Sequence, residues 1–262
     1  GEQDWAVASA YLEQLADVTL RWAPLASAHA CLQARCLAAL CPTWSAPAAP
    51  HGDGQALSRG LVERAVRQAL QLCQWSAPQA DAAILGVAAA AAAEAEVRAA
   101  GASTLAAVAK HAMAEMERQG EEMDFVEAAL CVLATGALAP PGERHLLEAV
   151  ALASSRAPTR ARQAELVAAA VQPALALLAS PEVHLAAQGA APLAAFAGVD
   201  GDWDTVARRA PARSALVRAL RRLGITFRRT SPTQREPGPP AGGLEALNAH
   251  PVTPHVGLAA GG

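Results

Sequence analysis

Residues 79–110 read QADAAILGVAAAAAAEAEVRAAGASTLAAVAK, and this run decides the fold class. Ala is the best helix former, and the run holds no alternation of apolar and polar residues of the kind a half-buried strand needs. Its most apolar part, Ala82 to Ala93, is about a dozen residues of mostly Ala, well short of the ~20 strongly apolar residues that a bilayer span requires. Gly101, followed by Ala102 and Ser103, reads as a break with a start signal after it. Two helices are therefore expected, over 79–100 and 103–119.

The same composition extends along the chain. Of 262 residues 53% are hydrophobic, but roughly a quarter are Ala and only 3% are aromatic. Such thin apolar side chains favour many closely stacked helices over one bulky core. Helices are expected over 2–22, 25–41, 55–74, 123–137, 143–156, 159–179, 181–197 and 203–223, about ten in all with the two above. Start signals at Asp124, at Pro158 before Thr159, and at Ser180 before Pro181 support those bounds. No run has the period of a strand, so the expected class is all-α, in one helical domain over 1–229. The Pro- and Gly-bearing stretch 42–54 is the best candidate for a break within it.

Repeats are suggested by two echoes. Leu40-Cys41 and Trp44-Ser45-Ala46-Pro47 recur as Leu72-Cys73 and Trp75-Ser76-Ala77-Pro78 at an offset of about 31, and Pro173, Pro192 and Pro211 are spaced by 19. Spacings of this size suit antiparallel helical hairpins stacked side by side, since one hairpin cannot bury its apolar face alone. The run Pro173, Leu175, Leu177, Leu178, Ser180, Pro181, Glu182, Val183, Ala187, Ala191, Leu193 and Phe196 resembles a HEAT or armadillo repeat. The run Leu130, Leu133, Ala134, Gly136, Pro140, Pro141, Leu146, Leu147 and Val150 is similar to the hairpins of organellar octotricopeptide-type RNA-binding proteins. These resemblances imply an α-solenoid-like stack that presents surfaces to partners.

Charge divides the chain unevenly. Residues 1–155 hold 9 basic and 17 acidic side chains, whereas residues 156–262 hold 12 and 7. From Arg208 to Arg229 there are eight Arg (Arg208, Arg209, Arg213, Arg218, Arg221, Arg222, Arg228 and Arg229) and no acid. A block of one sign repels itself unless something anionic neutralises it. On a helix, Arg218, Arg221 and Arg222 share one arc opposite Leu216, Leu220 and Leu223, which suits outward guanidinium groups on phosphates. Three targets stay open: structural RNA, an acidic protein neighbour, or the acidic part of this chain, notably Glu115, Glu117, Glu121, Glu122, Asp124 and Glu127. With no Phe or Tyr interleaved for base stacking, RNA contact is expected at the backbone. Beyond Thr230 the Pro- and Gly-rich residues 230–262 cannot build a core, and are expected to be laid against a neighbour.

No reactive constellation is apparent. His29, Cys31, Cys36 and Cys41 are not spaced as metal ligands on one helical face and form no Cys-x-x-Cys knuckle. His111, His145 and His184 lie alone in separate helical segments. There is no nucleophile elbow, Walker loop or dinucleotide fingerprint, so no catalytic residue, cofactor or metal is expected. The five Cys, with Cys73 and Cys131 inside apolar helical patterns, point to buried thiols in a reducing compartment. The five Trp sit near expected helix ends, as gap fillers or interface anchors.

Together these features lead to the expectation of a non-catalytic helical-repeat subunit of a large organellar assembly. A mitochondrial or chloroplast ribosomal protein touching rRNA backbone through its Arg-rich helix is the first reading. The other is a protein-binding scaffold or accessory subunit of a respiratory, ATP synthase or photosynthetic complex. Its partners would be neighbouring subunits and structural RNA, with no small-molecule substrate and no membrane span.

Overall fold

The computed structural model describes residues 2–45, 60–112, 122–198 and 203–230. Among them every regular element is helical, and there are eleven α-helices. In chain order these are α1 (Glu2–Arg21), α2 (Ser27–Leu40), α3 (Leu61–Cys73), α4 (Gln79–Leu85), α5 (Val87–His111), α6 (Glu122–Ala134), α7 (Pro140–Ser154), α8 (Arg160–Leu178), α9 (Pro181–Ala186), α10 (Ala190–Ala197) and α11 (Trp203–Arg229), with a 3-10 turn Cys41–Ser45 after α2. None is long and apolar enough to cross a membrane.

Their packing forms two rows. In one, α1 lies on α3, α3 on α6, and α6 on α8; in the other, α2 lies on α5, α5 on α7, and α7 on α11. Rungs join the rows within each hairpin, α1 to α2, α3 to α5, α6 to α7, and α8 to α11. This is the neighbour-to-neighbour packing of stacked helical hairpins, in which each unit buries the face its neighbour leaves open. Helix α4 is an insertion in the second hairpin, and α9 and α10 are insertions in the fourth.

Apolar spacing explains the rungs. In α3, Leu61, Val62, Ala65, Val66, Ala69, Leu72 and Cys73 are buried, a stripe at steps of three and four that faces α5. Its neighbour α5 contributes Val97, Leu105, Val108 and small residues to the same interior. The main core runs continuously from Ala16 in α1 through Leu105, Phe125 and Leu147 to Leu166 and Ala170 in α8. A separate small cluster, Val183, Ala186 and Phe196 with Leu177, Leu178, Ala212 and Leu216 against it, holds α9 and α10.

Gly101 does not break a helix. It lies inside α5 where that helix crosses α3, and a Cβ there would stand 2.9 Å from Ala69 O, Cys73 N and Leu72 Cβ. The expected boundary at 100–103 is thus a crossing point, because a glycine that lets two backbones approach looks the same in sequence as one that stops a helix. Ser103 is accordingly no cap. The helix is set off at its start by Gly86, at φ 81°, which separates α4 from α5.

Asp124 lies inside α6, which begins at Glu122, but two other starts behave as read. Thr159 Oγ1 accepts from Arg162 N–H at 3.1 Å and Ser180 Oγ from Val183 N–H at 3.4 Å, each satisfying an otherwise unpaired first-turn amide. The expected helix 181–197 is divided, α9 ending at Ala186 and α10 opening after Gly189. Pro173 and Pro211 lie inside α8 and α11, and Pro192 in the first turn of α10, so none of the three marks a hairpin boundary.

Polar groups tie the first hairpins together. Gln33 Nε2 donates to the carbonyls of Thr19 and Trp22, both at 2.7 Å, and Gln68 Nε2 donates to Gln33 Oε1 at 2.9 Å. Thr104 Oγ1 donates to Ala34 O at 2.9 Å across the α2–α5 contact. The buried Asp81 accepts from Ser27 N–H at 2.9 Å, so a carboxylate from α4 caps the start of α2. The hydroxyl and amide of Ser27 hold that carboxyl below its usual range.

Candidate interface on the last helix

Helix α11 runs 27 residues because Ala, Leu and Arg, all strong helix formers, dominate it. Pro211 removes one N–H from its ladder without ending it. It packs on α7, α8 and α10. Among its described side chains Ala219, Arg222 and Thr226 are buried, with Ala212, Ala215, Leu216, Leu223 and Ile225 half-buried beside them.

The buried Arg222 shows how this face differs from the sequence expectation. Glu143, in the first turn of α7 and buried, takes Arg222 Nη2 at 2.7 Å and Nε at 3.1 Å on Oε1. Its other oxygen pairs with Arg218 Nε, and Arg218 Nη2 donates to Leu138 O at 2.9 Å. One carboxylate thereby holds two guanidinium groups one helical turn apart. Near the end of α11, Arg229 pairs with Glu148 of α7 at 2.9 Å.

Arg218 and Arg222 therefore both reach toward α7, Arg222 buried and Arg218 half-exposed, while Leu220, expected on the docking side, is 53% exposed. The helix is rotated because a buried carboxylate some 75 to 79 residues earlier in the chain attracts two Arg more strongly than bulk water rewards exposing them. Nothing in the local pattern of α11 reports that partner. Internal pairing with the acidic half does occur, but with Glu143 and Glu148. Glu127, one of the acids considered, pairs instead with Arg162 at 2.8 Å. Glu115, Glu117 and Glu121 lie outside the described residues.

What remains outward is a different set. Arg221 and Arg228 are exposed on the arc that also carries Ser214, Val217 and the half-exposed Arg213. Seven residues apart, Arg221 and Arg228 sit about 10 Å from each other along the axis. Arg208 and Arg209 are exposed near the start of the helix, where Arg208 Nε also reaches Asp204 O at 3.3 Å. Phe227 is exposed but stands about 100° round the helix from Arg228. Residues 231–262, the expected extension of this surface, lie outside the described residues.

The residues considered for other chemistry are separate in space. Cys41 Sγ donates to Leu37 O at 3.2 Å, and burial pushes the Cys41 and Cys73 thiols up to about 12, the range of inert structural cysteine. Cys131, expected inside, is exposed. Cys31 Sγ lies 3.6 Å from Glu96 Oε1, and the His29 ring stands 5.5 Å from that of Trp22. Among the described residues no group of three or more His, Cys, Asp or Glu is placed to hold a metal ion. Of the Trp residues, Trp44 fills the core and Trp75 Nε1 donates to Ser27 Oγ at 3.2 Å, whereas Trp22 is 40% exposed. Comparison with protein-family models, with curated proteins and with solved structures gave no match.

Proposed function

We propose that the chain is a non-catalytic helical-hairpin subunit of a larger organellar assembly of the mitochondrial or chloroplast ribosomal kind, and that α11 lies along the backbone of structural RNA. The observation that carries this reading is the outward pair Arg221 and Arg228, on a helix whose last 22 residues contain eight Arg and no acid. Two of those Arg share the single carboxylate of Glu143. The surroundings of α11 therefore keep an excess of positive charge after the internal pairs are made. Guanidinium groups match phosphate geometry, and backbone contact needs no stacking aromatics on the same arc.

The test is retention of structured RNA across a salt series by the wild type and by Arg221→Glu/Arg228→Glu. Each phosphate contact removed lowers the slope of log affinity against log salt by about 1, so the double variant should lose roughly two units of slope and at least tenfold in affinity. Unchanged affinity, or binding indifferent to salt, removes the RNA reading. Equal competition by a polyglutamate chain assigns the same arc to an acidic protein neighbour, as in the accessory-subunit alternative.

A further inference from the structure

Two rows run side by side along the outer face of α11. Leu220 and Phe227, 53% and 63% exposed, form an apolar row. Arg221 and Arg228, each the next residue in the chain and each exposed, form a cationic row about 100° further round. Gly224 stands between the rows, about 40–60° round the helix from each of the four side chains and within about 6 Å of each along the axis. Phe227 is the one aromatic in the run from Arg208 to Arg229, so the expectation that none is interleaved there fails at this residue. Phe125 and Phe196 are buried, whereas Phe227 faces solvent.

The fold gives no reason for Gly224. Glycine inside a helix is disfavoured relative to alanine, so it needs a cause. Gly101 and Gly142 lie where the backbone of another helix approaches, but a Cβ on Gly224 would meet nothing within 4 Å, and its φ is not positive. What the missing side chain does is leave a notch in the outer face, with an apolar wall on one side and two guanidinium groups on the other.

We infer that this notch seats one unpaired nucleotide, its base laid on Phe227 over Gly224 and the phosphates flanking it on Arg221 and Arg228, an assignment that rests on the RNA reading of α11. A nucleotide carries a flat, largely apolar face at one end and an anion at the other, which is how the two rows divide. Side chains 100° apart on a helix about 10–12 Å across stand roughly 8 Å from each other, within the span of a single nucleotide. In a duplex both faces of a base are hidden in the stack, so only an unpaired base offers one to Phe227. Residues 205–229 hold no acid, so an uncharged occupant would use the apolar row and leave the cationic row unanswered.

The test compares a hairpin RNA, with a fluorescent adenine analogue in its unpaired loop, and a blunt duplex of the same nucleotide count. The wild type should bind the hairpin about 5- to 150-fold more tightly, the effect of one base stacked on an aromatic, and should quench the analogue. Phe227→Ala should lose the preference and the quenching but keep the salt slope, since no phosphate contact goes with the ring, and Phe227→Tyr should restore both. Gly224→Leu fills the notch and should lose them too, while raising the melting temperature by about 2–4 °C because leucine is the better helix former. A wild type that binds both RNAs alike, or a Phe227→Ala or Gly224→Leu chain that still prefers the hairpin, overturns the seat and leaves backbone binding in place. Absence of RNA binding by the wild type, or a salt series unmoved by Arg221→Glu/Arg228→Glu, removes the RNA reading and the seat with it.

Discussion

Replacing Glu143 with Ala would leave the Arg222 guanidinium with neither its carboxylate nor water. The Arg222 side chain is 10% exposed and that of Glu143 6%, so this half of the triad sits in the buried regime, where removing one partner costs about 3–5 kcal/mol. The Arg218 half is different. Its side chain is 42% exposed and can turn to solvent while keeping Leu138 O, so its loss adds no more than about 1 kcal/mol. With a slope of about 2–3 kcal/mol per molar urea for a chain of this size, Glu143→Ala should lower the unfolding midpoint by roughly 1–2.5 M. Urea titration followed by both circular dichroism and tryptophan fluorescence measures this and tests whether the transition is two-state. The informative comparison is Glu143→Leu/Arg222→Met, which replaces the buried pair with apolar groups of similar bulk and should recover most of the loss. A midpoint within about 0.3 M of wild type for Glu143→Ala, below 1 kcal/mol on the same slope, would refute the placement of Arg222 against α7. So would a double variant no more stable than the single.

Two further outcomes follow from the first hairpins. Gly101→Ala gains up to about 1 kcal/mol in helix propensity, but its Cβ would stand 2.9 Å from two backbone atoms of α3, so the overpacking cost of about 1–3 kcal/mol should win; a raised melting temperature would show that α5 does not cross α3 there. For Asp81 the folded-state pKa lies below the unfolded one, so its contribution is fully present above about pH 5 and is lost as pH falls through the folded value. The stability gap between wild type and Asp81→Asn should therefore be constant at neutral pH and narrow below about pH 4; a gap that does not change there contradicts the cap on α2.

How much of this was legible in the sequence depended on the range of the interaction. Helical class, most helix bounds and the caps at Thr159 and Ser180 could be read because propensity and capping act within a few residues. The stacking of hairpins was also readable, since Ala-rich helices with short connections have few other ways to bury their faces. Gly101 was misread because its reason lies in the backbone of Ala69 and Cys73, about thirty residues away in sequence. The Arg face of α11 was misoriented for a similar cause, since Glu143 looks in sequence like an ordinary acid in the first turn of a helix after Pro140 and Pro141. Cys131 sits in an apolar run yet is exposed, because a stripe identifies a face without saying whether a neighbour covers it.

The two rows of helices also bear on how such a protein can change over generations. Because among the described residues each hairpin packs chiefly on the one before and the one after, the extent of the stack is a count of units. Duplicating or losing one hairpin would alter its reach by about 10 Å, the spacing between packed helices, while leaving the remaining rungs intact. Length is thus a heritable variable adjusted in whole steps, and the distance between α1 and α11 changes with it.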